Sequence, residues 1–163
     1  MKAIVTGISG QDGHLITKQL VDSGYEVVGL TSDEHKLDVL GQEYAGMPVR
    51  NEHFDYFKRA LISELVADVK PDRMFNFAAK ATGQGMFDSV GEISRLNGEF
   101  VLDILEAIRN VSPETRLCQA SSAEMYGDVS ESPQNENTSF RPKSPYGAAK
   151  LYAHNLVGIY RNA

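Results

Sequence analysis

Short apolar runs alternate along this chain with longer stretches whose apolar residues recur every three or four positions. The first kind reads as buried strand and the second as amphipathic helix. "KAIVT" (2–6) is a first strand, and "HLITKQLVDSG" (14–24) a helix ending at Gly24. "YEVVGL" (25–30) is a second strand, whereas residues 33–46 are polar and glycine-containing, one weak helical turn and a loop. A third strand falls within "MPVRNEHF" (47–54), and a helix over 56–70 follows, stopped by Pro71-Asp72. "RMFNFAA" (73–79) is a fourth strand. A long helix over roughly 88–110 carries Ile93, Leu96, Phe100, Leu102, Ile104, Leu105 and Ile108 as one apolar stripe. "TRLCQASS" (115–122) is a fifth strand, and a polar loop over 128–143 leads to a last helix capped by Ser144 with Pro145 in its first turn.

Strand and helix alternating in this way give parallel strands joined by right-handed crossovers. The expected fold is α/β: a doubly wound parallel sheet of Rossmann type, strand order 3-2-1-4-5, in three αβα layers. Strand five would then be an edge, and an uncovered edge invites pairing with another copy. The apolar content of the 88–110 and 144–161 helices points to a homodimer or higher oligomer formed through them.

Composition narrows the function. A net charge of −6 excludes a general nucleic-acid binder, which needs a basic face to displace counterions. No stretch approaches the ~18 apolar residues of a membrane span, and the N-terminal run reads as strand rather than leader, so a cytoplasmic protein with no membrane partner is expected. The single Cys118 lies in a strand and is expected to be a buried structural thiol. His14, His35, His53 and His154 are scattered without ligand spacing, so no metal site is expected.

The candidate chemistry clusters at strand ends. "TGISGQDG" (6–13) follows the first strand and opens its helix. Gly7 permits a tight turn, Gly10 lets backbone approach a pyrophosphate, and Gly13 lets the helix start close to the sheet with its N–H groups aimed at the phosphates. Ser9, Gln11 and Asp12 fill the same turn. The end of strand two reads Thr31, Ser32, Asp33, where an acidic residue would accept from an adenosine 2′-hydroxyl. Asp33 either does this or starts the following turn. Asp55, with Tyr56 beside it, is placed to meet an adenine amino group or to cap the next helix. Phe77, Ala78 and Ala79 end strand four, where small residues let backbone pass under a dinucleotide or simply pack closely. Ser122 and Glu124 end strand five, Ser122 as a hydrogen-bonding group for a sugar hydroxyl and Glu124 as a general base. Tyr146 and Lys150 stand four residues apart on one helix face. The lysine cation would favour the phenolate and lower the tyrosine pKa from ~10, which suits a proton acceptor for an alcohol.

Taken in order, "GISGQDG", "VKPDRMFNFAA", "LEAIR", "QASSAEMYG", "SPYGAAKLYAH" and "YRNA" resemble the extended short-chain dehydrogenase/reductase family, and within it the nucleotide-sugar 4,6-dehydratases that take GDP-mannose. The resemblance implies a bound NADP, with NAD possible. It implies Tyr146, assisted by Ser122 and Lys150, as the group that deprotonates the sugar 4-hydroxyl, and Glu124 as the base at C5. Tyr146 and Lys150 would also touch the cofactor. Ala123 departs from the family, which places Ser or Asp there; "KAT" (80–82) replaces a Gln-Ser-His-like run. Family members continue for about as long again, so residues 1–163 are expected to be the NAD(P)-binding domain carrying the catalytic residues, without the substrate domain. A truncated dehydratase is the leading expectation. An epimerase or reductase of the same superfamily and a non-catalytic dinucleotide-binding module are the alternatives.

Overall fold

The computed structural model describes residues 1–80, 87–129 and 131–162. Five strands form one parallel sheet in the order β3-β2-β1-β4-β5: β1 Lys2–Thr6, β2 Glu26–Thr31, β3 Val49–His53, β4 Arg73–Asn76 and β5 Arg116–Gln119. β1 is central, with Ile4 opposite Val28 on one side and Met74 on the other. Its apolar run is continuous because both of its faces are covered. β3 and β5 lie outermost and bury less of each residue.

The helices are α1 Gln11–Asp22, α2 Leu37–Glu43, α3 Arg59–Val69, α4 Val90–Ser94, α5 Phe100–Val111 and α6 Pro145–Arg161. The chain divides into two compact units, residues 1–78 with 106–120 and residues 79–105 with 121–163. The first unit is cored by Ala3, Val5, Ile8, Leu20, Val27, Leu40 and Tyr44. No helix among the described residues is long and apolar enough to cross a membrane.

Several elements differ from expectation, each for a local reason. α1 starts at Gln11 rather than His14, because Gly10 adopts an extended N-cap conformation and the glycine turn feeds straight into the helix. Residues 34–43, expected to be largely loop, are a 3₁₀ turn and then α2; Leu40 and Tyr44, one helical turn apart, are both buried and anchor it. β4 stops at Asn76 because the Ala78 N–H turns from the ladder to the Thr6 hydroxyl, at 3.0 Å. The 88–110 helix is broken by a π-helical segment, Arg95–Glu99, that separates α4 from α5. Asn97 in that segment is buried and gives all its polar capacity to backbone: Nδ2 donates to the carbonyls of Ile93 (2.8 Å) and Lys80 (3.1 Å), and Oδ1 accepts from Lys80 N–H (3.3 Å). Cys118 is exposed, not buried, since β5 has no further strand beside it among the described residues.

Candidate active site

In the first unit the turn after β1 is shaped by contact with its own backbone. Gly7 has φ +68°, and its N–H and that of Ile8 both donate to the Leu30 carbonyl, at 2.9 and 3.2 Å. A Cβ on Gly7 would lie 2.9 Å from Ala78 N, and one on Gly13 only 2.3 Å from the Gly7 carbonyl oxygen. Gly10 is less crowded: its nearest neighbour to a Cβ is that same oxygen, at 3.3 Å. No side chain caps the N-terminus of α1. Its first N–H groups, at Gln11, Asp12 and Gly13, therefore sit where an anionic group is favoured. This cradle fits a pyrophosphate.

The end of β2 is tied to that turn. The Thr31 hydroxyl lies 3.2 Å from the Ser9 hydroxyl and accepts the Asp33 N–H at 3.2 Å, while Asp33 Oδ1 accepts the His35 N–H at 3.1 Å. Ser32 between them is exposed. Asp55 caps the Phe57 N–H at 3.0 Å, but α3 begins only at Arg59, so Asp55 holds a turn rather than the helix start. Tyr56 turns inward: its hydroxyl donates to the Leu30 carbonyl at 3.0 Å and accepts the Gly7 N–H at 3.2 Å. Burial pushes the Tyr56 phenol up to about 12, against the lowering effect of the Gly7 N–H. Tyr56 thus holds the glycine turn from beneath.

Across β1, β4 and β5 runs a buried polar chain that sequence reading missed. The Thr6 hydroxyl donates to Asn76 Oδ1, and Asn76 Nδ2 donates to Gln119 Oε1 at 2.7 Å. Thr6 and Asn76 are buried, and Thr6 is the acceptor that bends Phe77 and Ala78 over Gly7. The only sequence signal was a polar residue at the end of each of three strands.

The second unit gathers Ala79, Ser122, Glu124, Tyr146 and Lys150. Ser122 caps the 3₁₀ turn Ala123–Met125, accepting the Glu124 N–H at 3.2 Å, and leaves Glu124 exposed. Ser144 caps α6 by accepting the Gly147 N–H at 3.0 Å, with Pro145 at the first helical position as expected. The α6 N-terminus rests on the 123–125 turn: a Cβ on Gly147 would meet the Glu124 carbonyl oxygen at 2.5 Å. This contact brings the Ser122–Glu124 turn and the Tyr146–Lys150 helix together. Gly147 escaped the sequence reading, though a glycine in a helix's first turns is a cost that asks for a reason. Lys150 is 2% exposed, its Nζ 5.7 Å from the Tyr146 ring centroid, and burial lowers its pKa. Lys80 pairs with Glu92, whereas Ala81 and Thr82 lie outside the described residues. Among the described residues no group of three or more His, Cys, Asp or Glu is placed to hold a metal ion.

A family model described as GDP-mannose 4,6 dehydratase matches residues 4–163. The GDP-mannose 4,6-dehydratases of Vibrio cholerae and Homo sapiens are 34% and 33% identical to this chain, over 99% of it and 46% of their own length. The chain thus spans about half the length of the curated relatives it matches. Among solved structures, Pal from Bacillus thuringiensis superposes with a TM-score of 0.86 at 23% identity, over 100% of this chain and 52% of that one. UDP-glucose 4-epimerase from Bifidobacterium longum, in complex with NAD+ and UDP, gives 0.81 at 26% identity, over 99% and 48%.

Proposed function

This chain belongs to the GDP-mannose 4,6-dehydratase family, and from that premise we propose that it carries the cofactor-binding and catalytic residues of a nucleotide-sugar 4,6-dehydratase acting on GDP-mannose. The observation that supports the reading most is the seating of α6 on the 123–125 turn, which puts Ser122, Glu124, Tyr146 and Lys150 in one unit.

In this reading the pyrophosphate of a nicotinamide dinucleotide lies on the Gly7–Gly13 turn, with Ser9, Gly10, Gln11 and Asp12 beside it. Thr31, Ser32, Asp33 and Asp55 would hold its adenosine, and the small residues Ala78 and Ala79, with Phe77, would leave room for it. A bound nicotinamide dinucleotide would supply reversible hydride transfer, from the sugar C4 and back to C6, so that no net oxidant is consumed. Tyr146 accepts the 4-hydroxyl proton, with Ser122 holding that oxygen and Lys150 favouring the phenolate. The 4-keto group acidifies C5, and Glu124 removes the C5 proton. Because Ala123 has no proton to give, the proton Glu124 takes is the one it returns to the departing C6 hydroxyl, which leaves as water; as hydride reaches C6, C5 regains a proton from solvent, and Tyr146 releases the 4-hydroxyl proton to solvent, so the protons balance. The product is a 4-keto-6-deoxy sugar. The resemblance favours NADP as the cofactor; the residues at the end of β2 bear on that choice below. Self-pairing through the 88–110 and 144–161 helices belongs to the same proposal, and Tyr152 and Ile159 are exposed apolar residues on α6.

The test is to incubate the chain with GDP-mannose and either dinucleotide and follow loss of water by mass and the keto product by NMR. Glu124→Gln should abolish product while leaving dinucleotide binding intact. An epimerised sugar that keeps its C6 hydroxyl would overturn the dehydratase reading. Dinucleotide binding without turnover would reduce the chain to a binding module.

A further inference from the structure

We infer that the glycine turn selects NAD over NADP, with Asp33 as the discriminating residue; the inference rests on the reading of that turn as a dinucleotide site. A dinucleotide lying on the α1 N-terminus runs its adenosine ribose toward the end of the second strand. There the structure fixes Asp33 on both sides. Its N–H is held by Thr31, whose hydroxyl meets Ser9 in the glycine turn, and its carboxylate accepts from His35 N–H. Asp33 is therefore a part of the turn's own hydrogen-bond network, half-buried, twenty residues beyond Gly13. A carboxylate held here accepts hydrogen bonds from a ribose 2′-hydroxyl and repels a 2′-phosphate.

A further carboxylate, Glu43, lies against the glycine turn, in a hollow whose lining does not include Asp33. This open hollow of about 420 Å³ beside the turn is lined by Ser9, Gly10, Gln11, Leu40 and Glu43. The basic side chains on that side are both engaged with Glu43, His14 Nε2 at 3.1 Å and Lys18 Nζ at 3.6 Å, and His14 Nδ1 lies 3.0 Å from the Tyr44 hydroxyl. No arginine lines the hollow, and Lys36, the cation nearest Asp33 in sequence, is exposed on the turn that follows. A fork of N–H donors of the kind a phosphate ester calls for is absent from these lining residues.

The experiment is calorimetric titration of the purified chain with NAD+ and NADP+, repeated on Asp33→Asn. Asparagine keeps an oxygen for the His35 N–H, so the turn should persist, while the charge is lost. NAD+ is expected to bind at least about ten-fold tighter than NADP+ to the wild-type chain, and the ratio should fall to within about three-fold in D33N. NADP+ binding as tightly as NAD+ or tighter, or a ratio that D33N leaves unchanged, overturns the inference and leaves the dinucleotide site standing. Binding of neither nucleotide overturns the site itself and the inference with it.

Discussion

Replacing Tyr56 by Phe tests whether the hydroxyl beneath the glycine turn holds it. Tyr56 is 7% exposed, and its hydroxyl bonds to the Leu30 carbonyl and the Gly7 N–H. Removing it orphans neither partner, because Gly7 N–H still donates to Leu30 O at 2.9 Å. The loss at pH 8 should therefore be that of ordinary hydrogen bonds, about 1 kcal/mol. Alkaline pH reverses the balance. The phenol's pKa is near 10 in the unfolded chain and about 12 in the folded one. Below pH 10 both states are protonated and the tyrosine's full contribution is present. Above it the unfolded state ionises first, and stability falls through the window from 10 to 12. By pH 11 that loss is about 1.4 kcal/mol, which Phe does not suffer. Urea unfolding of both proteins at pH 8 and pH 11 reads the difference directly. Tyr44 and Lys150, whose pKa values burial also shifts, are common to both proteins and cancel. The wild-type advantage should vanish or change sign at pH 11. An advantage of the same size at both pH values would refute the placement of the hydroxyl.

Two further predictions concern glycines whose neighbours differ. In α6, Gly147→Ala drives a methyl group onto the Glu124 carbonyl and should cost about 1–3 kcal/mol, whereas Gly158→Ala, with nothing within 4 Å, should gain about 0.5–1 kcal/mol in the same melting experiment. In the turn, Gly13→Ala should compromise folding, because its methyl would overlap the Gly7 carbonyl. Gly10→Ala should leave the melting temperature nearly unchanged and weaken dinucleotide binding in calorimetry; unaltered affinity would remove Gly10 from the proposed site.

The strand order was legible in the sequence because a parallel sheet covered on both faces must be written as continuous apolar runs, and "KAIVT" and "YEVVGL" are such runs. The α6 cap was legible for a different reason: Ser-Pro ahead of an amphipathic stretch satisfies N–H groups by local rules alone. What escaped reading depends on partners far along the chain. Tyr56 read as a residue near the ligand at the start of the helix after β3; only the fold shows that this helix begins at Arg59 and that the Tyr56 hydroxyl reaches back 49 residues to Gly7. Asn97 carries no signal in the sequence, yet it is what ties Lys80 to the π-helical segment. Cys118 was assigned to the interior because it falls in a strand, and the outer position of β5 decided otherwise.

The buried and the accessible polar groups divide the work between them. Thr6, Asn76, Tyr56 and Asn97 are all deep, and each bonds to backbone or to one another, as burial of a polar group demands. Their effect is to fix the backbone at Gly7, Ala78 and Lys80 in places where regular ladders and helices have already ended. Glu124 is the opposite case: exposed, positioned through its backbone by Ser122 and Gly147, its carboxylate in no hydrogen bond or ion pair among the described residues. In the proposed reaction such a carboxylate has an oxygen accessible to the C5 proton. Asp33 lies between the two extremes, its N–H committed to Thr31 and one carboxylate oxygen to the next turn, while its other oxygen accepts no hydrogen bond among the described residues. A preorganised site needs its side chains carried on fixed backbone, and Thr6, Asn76 and Asn97, to which a local reading of sequence assigns nothing in particular, fix the backbone beside the proposed one.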